Sequence, residues 1–384
     1  MEGFELSRRK SLLDHFSAIK DARQSCKVMY RLEEVLLLVV CGTICSCDDY
    51  DDIVLWGETH LEFLRKLAPF HWGLPCADWL RVMMNRLDPE LFAACFRSFV
   101  AGRLPGKVDQ IAIDGKTSRR SHDRGKGQAA LHLVSAYATT HNLVLGQTGV
   151  LEKSNEITAI PVLLQYLAQS GALTGALVSI DAMGCQSAIA AAIVDQGGDY
   201  LLAAKDNQKT AHAGIELYFD TAPAGEAEVL ESVEKNHGRL ETRRHAVSGH
   251  VGWMSGQQRY PGEPKFKGIK TIGRIETTTE SAAGIKKETR CYISSRVLDA
   301  AAFAKAVRSH WAIENGLHWV LDVEFGEDQS RLRQGHGAKN MAIARHFALN
   351  LVRAEPSRRS IKGKRKLASW KDAFLGSILG MERR

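Results

Sequence analysis

What most constrains this chain is a change of rhythm at Leu104-Pro105-Gly106. Beyond it, Val108 to Ile113, Leu131 to Thr139 and Leu143 to Leu151 read as strands, and Glu156 to Gln169 as a helix broken early by Pro161. Ala176 to Ile180 is strand again, Gln186 to Asp195 helix, and Asp199 to Ala203 strand. Thr140-His141-Asn142 turns the second strand into the third, so this order predicts an α/β fold on a mixed sheet whose first three strands are antiparallel.

From Asn207 to about Lys287 the pattern changes to one helix, Thr210 to Phe219, and short polar strands. Turn signals fall at Asn236-His237-Gly238, Pro261-Gly262-Glu263-Pro264 and Gly284. The stretch reads as a β-rich insertion, about 207–287, within a sheet domain spanning 106–352. Arg290 to Ser294 returns to strand, and Asp299-Ala300-Ala301 opens a helix predicted to run beyond Leu321. Upstream, residues 1–105 read as all-helical: Val35 to Val40 with Ile44 form a buried helix, and Asp48, Asp49, Asp51 and Asp52 open the next one.

At 384 residues, 45% hydrophobic and 25% charged, the chain can bury a large core divided among more than one unit. The apolar run from Val35 is too short to span a bilayer, and Met1-Glu2-Gly3-Phe4-Glu5 lacks the order of a signal peptide, so a cytoplasmic protein without a membrane partner is expected. The eight cysteines are scattered and read as reduced thiols; Cys41, Cys45 and Cys47 match no usual zinc spacing. Residues 353–384 carry ten basic and three acidic side chains, which equals the whole net charge of +7. Arg358, Arg359, Lys362, Lys364, Arg365 and Lys366 in this tail read equally as a solvated, disordered segment or as a cluster tracking a phosphate backbone.

Two strands end in aspartate: Ile111-Ala112-Ile113-Asp114-Gly115-Lys116 and Leu177-Val178-Ser179-Ile180-Asp181-Ala182. Open sheets place their chemistry at such edges, although Asp also caps ordinary turns. Far downstream, Glu314 shares its helix face with Val307, His310, Trp311, Leu317, His318 and Leu321. A carboxylate on that apolar and aromatic stripe is costly to bury unless it is paired or coordinates a cation. Asp322, Glu327 and Asp328 compete with it on spacing alone. Converging carboxylates suit two-cation phosphoryl transfer, and Mg²⁺ prefers such oxygen ligands. The sequence has no Walker loop, no G-x-S-x-G elbow and no H-E-x-x-H zinc helix.

Four ordered strings carry a resemblance: Ala112-Ile113-Asp114-Gly115-Lys116, Lys153-Ser154-Asn155-Glu156-Ile157, Ile180-Asp181-Ala182-Met183-Gly184-Cys185-Gln186, and His310-Trp311-Ala312-Ile313-Glu314-Asn315-Gly316-Leu317-His318-Trp319. They are similar to the H-repeat-associated, ISAs-type DDE transposases of bacterial insertion sequences, over most of the chain. The resemblance implies an RNase H-like mixed sheet with a β-rich insertion, preceded by an all-helical transposase-associated domain. It implies Asp114, Asp181 and Glu314 as the catalytic, metal-binding triad, with Mg²⁺ as cofactor and Mn²⁺ able to substitute. Related transposases often carry a Tyr and an Arg before this Glu and a Lys after it. Here His310 and Leu321 stand four before and seven after Glu314, leaving Arg308 and His318 as replacements for those DNA contacts. Gly73-Leu74-Pro75-Cys76-Ala77-Asp78 also departs from the family's polar version.

The expectation is a transposase that cleaves the end of its element and joins the freed 3′-hydroxyl to target DNA. Its partners would be the terminal inverted repeats, the target, and a second copy in the synaptic complex, placing the DNA-bound protein at the nucleoid. Lys116, Arg119, Lys205 and Arg308 read equally as phosphate contacts or as solvated surface, and His132 as a sheet residue. Two rivals remain: a catalytically silent, transposase-derived DNA-binding protein, and an RNase H-like nuclease without strand transfer.

Overall fold

The computed structural model describes residues 10–381 except 105, 123–124, 126, 128, 151–155, 237–238, 256–264 and 283. Lys153 to Asn155 and the predicted turns at 237–238 and 261–264 therefore lie outside the described residues. Among the described residues nine strands form one sheet: β1 Gln110–Thr117, β2 His132–Ala138, β3 Leu143–Val150, β4 Leu177–Ile180, β5 Asp199–Ala204, β6 Glu228–Asn236, β7 Arg239–Ser248, β8 Thr271–Ser281 and β9 Gly284–Ser294, in the order β3-β2-β1-β4-β5-β9-β8-β7-β6. β1, β4 and β5 are parallel neighbours and every other pair is antiparallel, including β1 with β2 and β2 with β3 as expected.

The stretch expected to be an insertion of short polar strands is built differently. β6 to β9 are nine to eleven residues long and extend the main sheet, because β9 pairs antiparallel with β5 through Leu202 and Ile293. The Ala300–His310 helix lies across this part of the sheet, and Phe303 packs with Leu177, Leu201, Val247, Ile275 and Tyr292 in a second apolar cluster. Pro161 does not break its helix, which runs from Glu156 to Gln169.

The N-terminal segment is helical, with the acidic group opening a helix as expected: Asp49 caps Tyr50–Thr59 by accepting from the Asp52 N–H at 2.9 Å. Nearly every residue of the Leu32–Ile44 helix is buried. Its core is shared with a distant segment, the Gly337–Ala354 helix. Phe347 on that helix meets the rings of Phe16, Phe92, Phe96 and Phe99 at centroid distances of 5.4, 5.5, 4.9 and 5.0 Å. Asn350, on the same helix, exchanges two hydrogen bonds with the Val144 backbone, 3.0 and 2.9 Å, and so satisfies part of the β3 edge.

The basic tail is folded into helices Ile361–Trp370 and Asp372–Ile378. Lys364 and Arg365, expected among the phosphate contacts, are buried instead. Lys364 Nζ meets the Glu355 carboxylate at 3.3 Å and donates to the Val352 carbonyl at 3.2 Å. Arg365 donates to the Thr43 carbonyl at 3.0 Å and lies 3.9 Å from the Phe325 ring centroid. An ammonium or guanidinium out of water needs such partners, and with them engaged neither faces DNA. Arg358, Arg359, Lys362 and Lys366 remain exposed. Among the described residues no helix is long and apolar enough to cross a membrane.

Candidate metal centre

The register of β1 and β4 places Ile113 beside Ile180, so Asp114 and Asp181 follow neighbouring residues of two parallel strands. Asp181 leaves the end of β4, but β1, expected to end at Asp114, continues to Thr117 because Asp114 to Thr117 still pair with β2. Asp181 also caps its own turn, accepting from the backbone N–H of Met183 at 3.0 Å and of Gly184 at 3.4 Å. The turn reading and the site reading of this residue are both realised.

The third carboxylate arrives on a helix that is not regular. The Ala300–His310 helix ends at Trp311, and Glu314–His318 forms a π-helical turn before Trp319–Val323 resumes the α-helix. Two contacts hold this wide turn down. Gly316 lies against the Tyr137 ring of β2, and its carbonyl accepts from the Arg353 guanidinium. The apolar stripe expected around Glu314 is only half enclosing: Leu317 and Leu321 are buried, but the Glu314 side chain is 49% exposed. The site therefore opens to solvent on the Glu314 side.

His318 completes the cluster. Its Nδ1 lies 3.5 Å from Asp114 Oδ2 and 3.4 Å from Glu314 Oε2, and its buried Nε2 has no hydrogen-bond partner among the described residues. Ligand atoms of Asp114, Glu314 and His318 all fall within 4.8 Å of one another, whereas Asp181 stands outside that set. His318, expected to contact DNA, is instead a buried member of the carboxylate site. The i, i+4 spacing from Glu314 was the available sequence signal.

Among the described residues no Lys or Arg forms an ion pair with Asp114, Asp181 or Glu314. Burial pushes the Asp114 carboxyl up to about 7; His318 opposes this, and the Glu314 and Asp181 charges add to it. The hydrogen bond from His318 holds Glu314 below the usual carboxylate range. A divalent cation would relieve this crowding of negative charge, and two carboxylates with an imidazole are a donor set that binds one. His310, four residues before Glu314, is held by burial below its usual range and reaches Ser179 Oγ at 3.1 Å through Nδ1.

The three rival acids are already neutralised. Lys116 Nζ lies 2.6 Å from Asp322, 3.1 Å from Glu327 and 3.4 Å from Asp328. Arg119 Nε meets Asp328 at 3.3 Å, and Arg345 lies 3.8 Å from Glu327. Lys116 is thus committed to the protein rather than presented to phosphate. Arg308 is bonded to Glu234 of β6, at 3.1 Å through its second nitrogen. Arg119 and Lys205 are exposed. His132 lies in β2 as expected, its Nε2 at 2.5 Å from Glu156.

The class of protein follows from comparison. A family model described as "Transposase DDE domain" matches residues 105–351, and one described as "DDE_Tnp_1-associated" matches residues 13–100. The chain is 37% identical over 383 residues to "H repeat-associated putative transposase YhhI" of Escherichia coli K12, covering 96% of this chain and 98% of that protein. It is 38% identical over 381 residues to "Putative transposase YncI" of Escherichia coli O157:H7, covering 96% and 94%. The chain belongs to the H-repeat-associated family of DDE transposases.

Proposed function

We propose that this chain catalyses metal-dependent cleavage and strand transfer of an insertion sequence, using Mg²⁺ on an RNase H-like sheet. The observation that carries the reading is the cluster of Asp114, Glu314 and His318 beside Asp181, free of any Lys or Arg ion pair among the described residues while the neighbouring acids are all paired. Divalent cations in such a site polarise the phosphodiester and neutralise charge on the attacking and leaving oxygens. Asp114, within β1, and Asp181, just past the end of β4, would hold the metal from adjacent parallel strands. Glu314, half-exposed, completes the site on the side open to substrate. His310, held by burial below its usual range, bonds to Ser179 on β4.

DNA is the partner this chemistry requires: the element's terminal inverted repeats and the target. In the Ile361–Trp370 helix, Lys362, Lys366 and Trp370 recur every four residues on the exposed side, opposite buried Lys364, Arg365 and Ala368. This stripe, with Arg358 and Arg359, suits a phosphate backbone through counterion release. Arg119, exposed although it meets Asp328, and Lys205, also exposed, offer further contacts. Residues 106–352 would carry the chemistry, 1–105 and 353–384 would flank it, and joining two element ends calls for a dimer in the synaptic complex, in the cytoplasm at the nucleoid.

The test is incubation of the purified protein with Mg²⁺ and a labelled element end. Joined products are expected. Cleavage without joining would identify a nuclease, and binding without cleavage a DNA-binding regulator.

A further inference from the structure

β1 and the Glu314–Val323 segment meet as two parallel ladders. Asp114 and Lys116 share one face of β1 at i, i+2, roughly 6.6 Å apart at strand rise. Glu314, His318 and Asp322 recur every four residues, His318 and Asp322 being about 6 Å apart at helical rise. The spacings match, and the rungs are occupied: Asp114 opposite His318 at 3.5 Å, then Lys116 opposite Asp322 at 2.6 Å. Further along, Arg119 meets Asp328 at 3.3 Å.

We propose that Lys116 is a positioning residue that sets the register of the Glu314 helix against Asp114; the proposal rests on the metal-site reading above. Sliding the helix by one turn would take Lys116 off Asp322 and bring a carboxylate against Asp114, so only one register satisfies both rungs. The clamp is enclosed at its Lys116 end, where the Lys116 side chain is 10% exposed and Glu327 1% exposed, while Asp322 is 32% exposed. It is also braced from behind, because Glu327 faces Arg345 of the Gly337–Ala354 helix at 3.8 Å. This bracing is needed because Glu314 sits in a π-helical turn, where the backbone ladder is looser than in an α-helix. A wrongly registered helix would displace Glu314 by about one turn, or 5.4 Å, which ends its reach to a metal held at Asp114.

The test compares full-length wild-type protein with Lys116→Met, Lys116→Arg and Asp322→Asn by three measurements: hydrogen exchange of residues 312–323, Mn²⁺ affinity by calorimetry, and the salt dependence of binding to an element end. Lys116→Met is expected to raise exchange across 312–323 at least tenfold, weaken Mn²⁺ binding at least tenfold and leave the salt slope unchanged. Lys116→Arg is expected to restore part of both losses. Asp322→Asn, which keeps the Lys116–Glu327 contact, is expected to show the same changes more weakly and serves as the primary variant where Lys116→Met does not fold. Unchanged exchange in both Lys116→Met and Asp322→Asn overturns the clamp. A salt slope lowered by about one with Mn²⁺ affinity intact overturns it in favour of a phosphate contact. Loosened exchange in a protein whose wild type binds no Mn²⁺ would instead overturn the metal-site reading and leave the register role standing.

Discussion

Gly316 and Tyr137 touch: a Cβ placed on Gly316 would lie 2.5 Å from the Tyr137 hydroxyl oxygen. That oxygen cannot swing away freely, because Tyr137 is fully buried and donates to Asn142 Oδ1 at 3.0 Å. Gly316→Ala gains about 1 kcal/mol in helix propensity but meets an overpacking cost of about 1–3 kcal/mol. The net expectation is a loss of roughly 1 kcal/mol, read by urea denaturation, together with reduced cleavage as Glu314 is lifted. Tyr137→Phe in the same chain should recover both; failure to recover either would place the clash elsewhere.

The carboxylate cluster predicts a stabilising response to metal. Asp114 has a folded pKa above its unfolded value, so its ionisation opposes folding increasingly as pH rises from about 4 through 7. Mn²⁺ or Mg²⁺ should raise the melting temperature of the wild type at pH 8 and leave Asp114→Asn nearly unchanged, while Asp114→Asn should melt higher than the metal-free wild type. Asp114→Ala, Asp181→Ala and Glu314→Gln should each lower cleavage by roughly a hundredfold or more, the scale of losing one group that stabilises transition-state charge. An Asp114→Asn protein as responsive to metal as wild type would remove Asp114 from the ligand set.

His346 predicts a loss of stability in acid. It is fully buried, neither ring nitrogen has a hydrogen-bond partner among the described residues, and burial lowers its pKa to about 4. The unfolded chain takes up a proton near pH 6.5 and the folded chain does not, so this stability is complete above 6.5 and is lost as pH falls towards 4. The full span corresponds to about 3 kcal/mol. Because Asp114 titrates with the opposite sign, the quantity to measure is the difference between wild type and His346→Leu in denaturant unfolding from pH 7.5 to 4.5. The His346→Leu protein should gain on wild type as pH falls; a constant difference would contradict the assignment.

The tail predicts a division between stability and binding. Lys364→Met strands the buried Glu355 carboxylate and should cost about 3 kcal/mol or more. Arg365→Met leaves the Thr43 carbonyl without this donor and should cost about 1–3 kcal/mol. Lys362→Ala with Lys366→Ala should change stability by no more than about 0.5 kcal/mol, as surface substitutions do. The same double variant should weaken DNA binding and lower the salt slope by roughly 0.9 for each contact removed. Equal DNA affinity in the double variant and wild type, measured across a salt series, would take this stripe out of the interface.

Much of this architecture was legible locally. The strands that carry Asp114 and lead to Asp181 contain short apolar runs, and strand signals of that kind survive tertiary context, although pairing with β2 carries β1 past Asp114 to Thr117. Glu314 could be placed on a helix but not its environment. Its wide turn comes from Gly316 fitting beneath Tyr137, a residue far away in sequence, and periodicity carries no trace of such a contact. Lys364 and Arg365 misled for a similar reason. A cluster of basic residues looks alike whether water or a carbonyl such as that of Thr43 solvates it.

The sequence by itself determined the order of strands and helices, the two aspartates on neighbouring strands and the third acid, and through its motifs the family. These are properties of neighbours along the chain, governed by alternation, helical period and turn chemistry. Only the tertiary structure decided which acids stand free. Asp322, Glu327 and Asp328 differ from Asp114 and Glu314 not in type or spacing but in having Lys116, Arg119 and Arg345 beside them. Charge compensation acts through a few ångströms of space, and folding alone sets which residues share those ångströms.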